Sequence, residues 1–369
     1  MPDITRIDPN FRAESIPFDD IVWYDAMDPR FSLHGLCDPR GTGRYARLPL
    51  SFETDGRVNE GVRTLMFHTA GARIRFATDS PYVAAAVELP DVGHMPHMPL
   101  TGSSGTDLYF SPEGSSVMVF GRAIFPAVEN GQPTRSFSGY ATKPFPGTAE
   151  ITLHLPLYNA VSRVYIGLAR GAEIRAPRAF SVEKPVLFYG SSITQGGCAS
   201  RPGNNYMNHV CRWLDADFIN LGFSGSAKGE PCVADYIASL DLSAFVMDYD
   251  HNAPTADYLA QTHYPFYRRV REARPELPIV LISAPCPLPA GISDGTFQFS
   301  RRRDVILNTY LRGVEAGDRH LFFLDGTTLY GGRDIDASTV DGCHPNDLGF
   351  YRFAQAVYPV LQKALEVTL

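Results

Sequence analysis

The second half of the chain alternates two kinds of segment, and this alternation limits its fold more than any other feature. After about residue 180, strands that are apolar throughout are separated by amphipathic stretches of helical length. Strands of this kind are buried on both faces, as in a parallel sheet that has helices on either side. We therefore predict a doubly wound α/β domain with helices packed on both faces of its sheet.

Five strands and four helices are predicted in this half. The strands are residues 186–189, 218–221, 245–247, 279–282 and 321–324, and the helices are residues 205–214, 257–273, 302–316 and 347–365. Ligands of doubly wound sheets bind beyond the carboxyl ends of the strands. The residues that follow each strand are therefore the candidates for chemistry.

The first half has short apolar runs separated by clusters of Gly, Pro, Ser and Asp. Apolar and polar residues alternate in 73–76 and 151–155, which predicts strands with one face in water. Further runs of strand length are 83–89, 117–120 and 164–168. This half is predicted to be an antiparallel β-sandwich of jelly-roll type.

We divide the chain into a β-sandwich domain at 1–178 and an α/β domain at 179–369. The link between them, about 170–185, contains Pro177 and Pro185 but no flexible Gly/Ser tract. We expect a packed interface between the two domains and not a free tether.

Composition argues against several partners. With a formal net charge of -7 and a pI near 5.8, the chain has no basic field for a nucleic-acid backbone. No run approaches the roughly 20 apolar residues of a membrane helix, and the first residues lack the apolar region of a signal peptide. We expect a cytoplasmic protein with neither a nucleic-acid nor a membrane partner.

The cysteines have neither zinc-ligand spacing nor the density of a disulfide scaffold. We therefore predict that all of them are free thiols. They are Cys37, Cys198, Cys211, Cys232, Cys286 and Cys343.

Ser192 is the first candidate for chemistry. It lies in Gly190-Ser191-Ser192-Ile193-Thr194 after the first α/β strand, where a tight turn would expose a serine nucleophile and its N–H at the sheet edge. A cap of the following helix is an equally good interpretation of this hydroxyl. Two further candidates follow the next strands, namely the glycine turn at 222–225 and Asn252.

A histidine base needs a carboxylate that fixes its tautomer and stabilises the imidazolium. Three Asp-x-x-His pairs have a suitable spacing: Asp91 with His94, Asp248 with His251, and Asp341 with His344. The first pair lies in the sandwich half and the third lies in the loop before the last helix. The second pair lies beside Asn252 after the third α/β strand, and it remains the rival of the third.

Four segments together resemble the sequence blocks of the SGNH/GDSL hydrolases. Residues 190–194 resemble the first block, 222–225 the second, Asn252 the third, and Asp341-x-x-His344 the fifth. More narrowly, 189–203 is similar to the subgroup that carries an N-terminal domain marked Gly-x-Asp-Leu-Tyr. That marker is Gly105-Thr106-Asp107-Leu108-Tyr109 here, preceded by His97-Met98-Pro99. The resemblance extends from about Trp23 to the last helix.

The resemblance implies a flavodoxin-like sheet for the second half and a role for each block. Ser192 would be the nucleophile, His344 the base and Asp341 the acid that orients the base. The backbone N–H groups of Ser192 and Gly225 and the side chain of Asn252 would form an oxyanion hole. No metal or organic cofactor is implied.

Two positions depart from the wider family. Ser191 stands where the broader pattern has Asp, as is common in the subgroup, and this leaves the nucleophile assignment intact. His251, directly before Asn252, would add an ionisable group beside the oxyanion hole.

These roles imply a serine esterase that works through an acyl-enzyme. The fused sandwich resembles the arrangement in some carbohydrate esterases, so we expect small acyl esters, acetyl above all, of a sugar or glycoside as substrates. One alternative is an acyltransferase that moves an acyl group to a small-molecule alcohol. Another is a carbohydrate-binding protein whose hydrolase half is inert.

Overall fold

The computed structural model describes residues 15–93, 95–288 and 295–366. Within these ranges, no helix has both the length and the apolar character that crossing a bilayer requires. The six cysteines all lie in the described residues, and none of them forms a disulfide bond there, as predicted.

Short strands build the N-terminal half into two antiparallel sheets. Its strands are β1 (Ile21–Asp25), β2 (Ser32–His34), β3 (Arg73–Thr78), β4 (Tyr82–Glu88), β5 (Thr106–Pro112), β6 (Val119–Ile124), β7 (Val128–Glu129), β8 (Gln132–Pro133), β9 (Ser136–Thr142), β10 (Ala149–His154) and β11 (Arg163–Ala169). One sheet has the order β1-β11-β4-β9 and the other β2-β3-β10-β5-β6, while β7 and β8 form a separate ribbon. Side chains of both sheets, such as Phe76, Val87 and Ile151, share one apolar core. The predicted β-sandwich is confirmed.

Five parallel strands form the sheet of the second half. They are β12 (Val182–Gly190), β13 (Ala216–Gly222), β14 (Ala244–Asp248), β15 (Ile279–Ile282) and β16 (Leu321–Leu324). Their order is β13-β12-β14-β15-β16, and every neighbouring pair is parallel. This is the flavodoxin-like order, in which the direction of winding reverses between β12 and β14. The predicted doubly wound fold is confirmed.

Helices cover both faces of this sheet. In chain order, the α-helices of the described residues, including three in the first half, are α1 (Pro39–Thr42), α2 (Glu60–Leu65), α3 (Leu100–Ser103), α4 (Ser192–Gln195), α5 (Tyr206–Leu214), α6 (Pro231–Ser239), α7 (Ala256–Ala273), α8 (Phe299–Glu315) and α9 (Asp347–Glu366). Side chains of α5 and α9 join the apolar cluster on one face of the sheet, and side chains of α6, α7 and α8 join the cluster on the other face. Side-chain caps mark where helices begin: Asn205 accepts the Asn208 N–H, and Thr255 accepts the Tyr258 N–H.

The polar faces of strands β3 and β10 are mostly buried, with Thr152 alone half-buried, so the prediction that these faces lie in water is wrong. Arg73, Arg75 and His154, which alternate with the apolar residues, are all at most 5% exposed. Their sheet face is covered by the α/β half, where the Arg73 guanidinium donates to the Asp217 carboxylate at 2.7 Å. The polar positions are buried because they form the interface between the two halves.

The apolar run at 117–120 is only partly a strand. Val117 donates its N–H to the Ser115 hydroxyl in a turn, and β6 begins at Val119. The strand then continues to Ile124, beyond the predicted end. Its pairing with β5 shifts register at Gly121, which interrupts the apolar pattern, and resumes at Arg122.

A buried arginine also ties the two halves together. Arg47 is 1% exposed and precedes a segment whose apolar side chains, such as Val62 and Met66, belong to the core of the α/β half. Its guanidinium donates at 2.6–2.9 Å to four backbone carbonyls, those of Leu65, His68, Asn220 and Gly222. Part of the N-terminal half is therefore built into the core of the second half.

The Gly105–Tyr109 marker lies at the interface between the halves. Its Asp107 carboxylate is fully buried, and one oxygen lies 2.7 Å from His154 Nδ1. The other oxygen accepts hydrogen bonds from Arg201 Nη1 and from the Gly203 N–H, both at 2.8 Å. Because these two donors lie in the loop between α4 and α5, Asp107 fixes that loop against the sandwich.

Removing this carboxylate should destabilise the whole chain. We expect Asp107→Ala to lower the free energy of unfolding by about 3–5 kcal/mol, because it leaves buried donors without their acceptor. The matched control is Asp241→Ala, whose exposed carboxylate pairs with Lys184 at 3.1 Å and should contribute at most about 1 kcal/mol. Denaturant unfolding of both variants measures the difference. Equal, small losses would contradict the structural role of Asp107.

Candidate active site

Ser192 is the first residue of α4, directly beyond the carboxyl end of β12. The neighbouring residue, Ser191, caps α4: its hydroxyl accepts the Ile193 N–H at 3.1 Å. The wider family pattern has Asp at this position. Asp is an equally good capping residue, so Ser191 retains the cap. The Ser192 hydroxyl is left for another partner.

That partner is His344. Ser192 Oγ and His344 Nε2 are 2.9 Å apart, and His344 Nδ1 is 2.7 Å from Asp341 Oδ2. The second carboxylate oxygen of Asp341 accepts the backbone N–H groups of Cys343 and His344 at 3.0 and 2.7 Å. The structure therefore brings the three predicted residues into one chain of hydrogen bonds.

The charge of Asp341 decides which atoms donate and which accept in this chain of hydrogen bonds. Burial raises the pKa of Asp341, but the His344 ring and the backbone N–H groups of His344 and Cys343 outweigh it and lower the pKa to about 2. A carboxylate only accepts hydrogen bonds, so we assign the proton of the His344 ring to Nδ1. In that tautomer, Nε2 accepts the hydroxyl proton of Ser192.

The rival pair is not assembled. Asp248 is buried, and its carboxyl accepts hydrogen bonds from Thr194 Oγ1 and Tyr206 OH at 3.0 and 3.1 Å. Burial, together with the nearby Asp250 carboxyl, raises the pKa of Asp248 well above its usual value. Asp248 is therefore engaged by hydroxyl groups and does not orient His251.

His251 lies near the site with different neighbours. Its Nδ1 is 3.9 Å from Cys343 Sγ, and its ring stacks on Phe297 at 4.8 Å between centroids. Burial, with repulsion from His344 and Arg302, lowers the pKa of His251 to about 3. The ring is therefore neutral near pH 7.

Of the pair in the sandwich half, the structure describes Asp91 alone. Asp91 accepts a hydrogen bond from Asn159 Nδ2 through its backbone carbonyl. Its predicted partner His94 lies outside the described residues.

The turn after β13 is held from two sides. Gly225, in this turn, has a left-handed backbone with φ of 66°, and open space surrounds the place where a Cβ would stand. Asn252 Nδ2 donates to the Phe223 carbonyl at 2.7 Å. From the other side, the side-chain oxygen Oε1 of Gln195 accepts the Ser224 N–H at 2.9 Å. The turn and Asn252 therefore lie together beside the Ser192 helix.

Two glycines allow this close packing. A Cβ on Gly190 would lie 2.2 Å from the Asp248 carbonyl oxygen, and a Cβ on Gly222 would lie 2.2 Å from the Gln195 nitrogen. Real Cβ contacts are never that short, so both positions need glycine. The two glycines therefore allow the turn that carries Ser192 to pack directly against the neighbouring backbone.

The sandwich half also lines the site. The Tyr158 hydroxyl donates to the Ser192 carbonyl at 3.1 Å, and the His97 ring lies 5.7 Å from the His344 ring. No role is predicted from the sequence for Tyr158 or Gln195, and His97 enters there only as a neighbour of the Gly-x-Asp-Leu-Tyr marker. No local pattern could identify these residues, because their contacts join distant parts of the chain.

Two family models match the chain. Residues 183–362 match the GDSL-like lipase/acylhydrolase family, and residues 21–174 match the N-terminal GxDLY region of SGNH-hydrolase-type esterases. No curated protein matches the sequence. The two models divide the chain at the same place as the change from antiparallel to parallel sheets.

Solved structures are similar over nearly the full length. A GDSL-like lipase from Bacteroides ovatus ATCC 8483 is 28% identical, with 94% of this chain and 98% of that chain covered and a TM-score of 0.81. A salicylyl-acyltransferase from a tetracycline biosynthetic pathway is 19% identical, with 94% and 98% covered and a TM-score of 0.72. A family two carbohydrate esterase from Cellvibrio japonicus is 13% identical, with 95% and 99% covered and a TM-score of 0.57. The last two similarities concern the fold alone.

The two Asp/His pairs can be tested against each other. We expect His344→Ala to lower kcat/KM for a small ester about 10³-fold or more, and Asp341→Asn to lower it about 10²–10⁴-fold because an amide favours the wrong tautomer. The control His251→Ala should cost less than about tenfold, since His251 does not contact Ser192. Steady-state rates decide the matter. An inactive His251→Ala beside an active His344→Ala would transfer the role of base to His251.

Proposed function

Since the chain belongs to the SGNH/GDSL esterase family, in the subgroup with an N-terminal GxDLY domain, we propose that Ser192, His344 and Asp341 are its catalytic triad. The chain is a serine ester hydrolase, and we assign it a mechanism through an acyl-enzyme. The observation that carries this proposal is the continuous hydrogen-bonded chain from Asp341 through His344 to Ser192.

The reaction would proceed in two steps. Ser192 Oγ attacks the ester carbonyl carbon while His344 Nε2 takes the hydroxyl proton, and Asp341 stabilises the imidazolium that forms. His344 then gives this proton to the leaving alcohol. In the second step His344 deprotonates a water molecule, which attacks the acyl-enzyme carbonyl. As the bond to Ser192 Oγ breaks, His344 returns the proton to Oγ, and the acid leaves.

The negative charge on the carbonyl oxygen would be stabilised by an oxyanion hole. We assign it to the backbone N–H groups of Ser192 and Gly225 and to the side chain of Asn252. Open space beside Gly225 supports this assignment. Asn252 also supports it, because one N–H of an amide remains after its hydrogen bond to the Phe223 carbonyl.

We assign small acyl esters of carbohydrates, acetyl esters above all, as the substrate class. The full-length similarity in fold to a carbohydrate esterase supports this choice. The sandwich also supports it, because Tyr158 brings that half into contact with Ser192. A carbohydrate-binding protein with an inert hydrolase half is disfavoured by the assembled triad geometry.

An acyltransferase is the second candidate. The similarity in fold to a salicylyl-acyltransferase, also over nearly the full length, favours it. In that reaction an alcohol takes the place of water in the second step, and the triad serves both reactions unchanged. The two candidates therefore differ in the acceptor and not in the nucleophile.

Replacing the nucleophile gives the most direct test. Ser192→Ala should lower ester turnover about 10³-fold or more, with little change in the melting temperature. A fluorophosphonate probe should label the parent and not Ser192→Ala. The matched control is Ser191→Ala, which loses a helix cap worth about 1 kcal/mol but keeps the nucleophile, and so should still be labelled. If the probe still labels Ser192→Ala, Ser192 is not the nucleophile.

The substrate class needs a separate measurement. Rates on p-nitrophenyl esters of rising acyl length, compared with acetylated sugars, separate the size of the acyl pocket from the preference for the alcohol. We expect the highest rates for acetyl esters and measurable deacetylation of at least one sugar. Acyl transfer to an added alcohol that exceeds hydrolysis would favour the acyltransferase instead.

A further inference from the structure

Three side chains place metal-ligand atoms together at the edge of the site. His97, Cys198 and His344 each offer one nitrogen or sulfur atom, and these atoms all lie within 4.8 Å of one another. Imidazole nitrogen and thiolate sulfur are ligands that Zn²⁺ prefers. We propose that these three residues bind a divalent transition-metal ion such as Zn²⁺, and that the bound ion inhibits the enzyme.

The distances suit a site that closes on the ion. With Zn–N near 2.0 Å and Zn–S near 2.3 Å, ligand atoms of a tetrahedral site are roughly 3.3–3.7 Å apart. The 4.8 Å limit on the present spacing exceeds that value by roughly 1–1.5 Å, and rotations of the side chains supply the difference. The His97 and His344 rings are inclined by 56° and not stacked. A fourth position would be taken by water.

Backbone contacts hold the two loops that carry His97 and Cys198. A Cβ on Gly102 of α3 would lie 2.0 Å from the Ala199 carbonyl oxygen, so α3 packs directly on the loop after α4. Met98, next to His97, is buried in the apolar cluster of the α/β half. The two ligands from different halves of the chain are therefore kept side by side.

Asp341 supplies the support that a metal-bound histidine usually has. Such a histidine donates its other ring N–H to a carboxylate, as His344 Nδ1 does to Asp341 at 2.7 Å. The ligating atom is then Nε2, which is the atom 2.9 Å from Ser192 Oγ. An ion on Nε2 removes the base from Ser192. The Cys198 thiol loses its proton to solvent as the metal–sulfur bond forms.

Metal binding is measurable without any assay of activity. Titration calorimetry with Zn²⁺ on the metal-stripped full chain should give one ion per chain, with a dissociation constant on the order of micromolar or below. Co²⁺ in place of Zn²⁺ should give a thiolate charge-transfer band in the near ultraviolet. His97→Ala and Cys198→Ser should each weaken binding about tenfold or more, and Cys198→Ser should abolish the band.

Two further variants make the test specific. Cys198 has a left-handed backbone with φ of 74°, so Cys198→Gly removes the thiol at a position where glycine is unstrained, and it should lose binding as Cys198→Ser does. The matched control is Cys343→Ser, since Cys343 has its own histidine neighbour in His251 at 3.9 Å. Cys343→Ser should bind Zn²⁺ like the parent.

Inhibition rests on the proposed function, whereas binding does not. Zn²⁺ should inhibit ester turnover by the parent and by Cys343→Ser, and inhibition of His97→Ala should need about tenfold more Zn²⁺. Unchanged Zn²⁺ affinity in both His97→Ala and Cys198→Ser, or Co²⁺ binding without a thiolate band, would overturn the site. Specific binding to a chain that hydrolyses no ester would support the site and would count against the proposed function alone.

Discussion

The buried carboxylate of Asp107 is the contact on which the arrangement of the site depends. Burial raises the pKa of this carboxyl, but His154, Arg201 and the Gly203 N–H outweigh it and lower the pKa, so the group is ionised where no water reaches it. Two of its three donors belong to the loop between α4 and α5. An ionised acceptor of this kind is stabilising only while all its donors stay in place. The Gly-x-Asp-Leu-Tyr marker therefore acts as a clamp between the sandwich and the segment that follows the nucleophile.

That clamp explains why the sandwich is part of the site. Leu157 accepts a hydrogen bond from the Gln195 side chain through its backbone carbonyl, and the neighbouring Tyr158 donates to the Ser192 carbonyl. Gln195 in turn holds the turn that contains Gly225 through the Ser224 N–H. The positions of the nucleophile helix and of the proposed oxyanion hole thus depend on contacts from the other half of the chain. A substitution that loosens the interface between the halves should therefore also shift Ser192 and the Gly225 turn.

Local pattern predicted the architecture well and the interface poorly. The change of hydrophobic period and the apolar α/β strands were enough to predict both sheets, because these features follow from which faces are buried. The solvated face expected for β3 and β10 is wrong because burial by another domain leaves no local signal. Helix α6, which begins at Pro231, was not predicted. At the site, adjacent hydroxyls at Ser191 and Ser192 are indistinguishable in sequence, and so are the Asp-x-x-His spacings. The family resemblance is what assigns Ser192 and His344, and the fold adds the contacts: the Ser191 hydroxyl caps the helix and His344 meets Ser192.

The central claim is that Ser192, His344 and Asp341 act as one unit. Residues of such a unit are non-additive, because the loss of either partner removes the same step. The most direct measurement is kcat on one small ester for Ser192→Ala, His344→Ala and the variant that combines them. We predict that the combined variant is within about threefold of the slower single variant. If the two losses multiply instead, Ser192 and His344 act independently and the hydrogen bond between them does not carry the reaction.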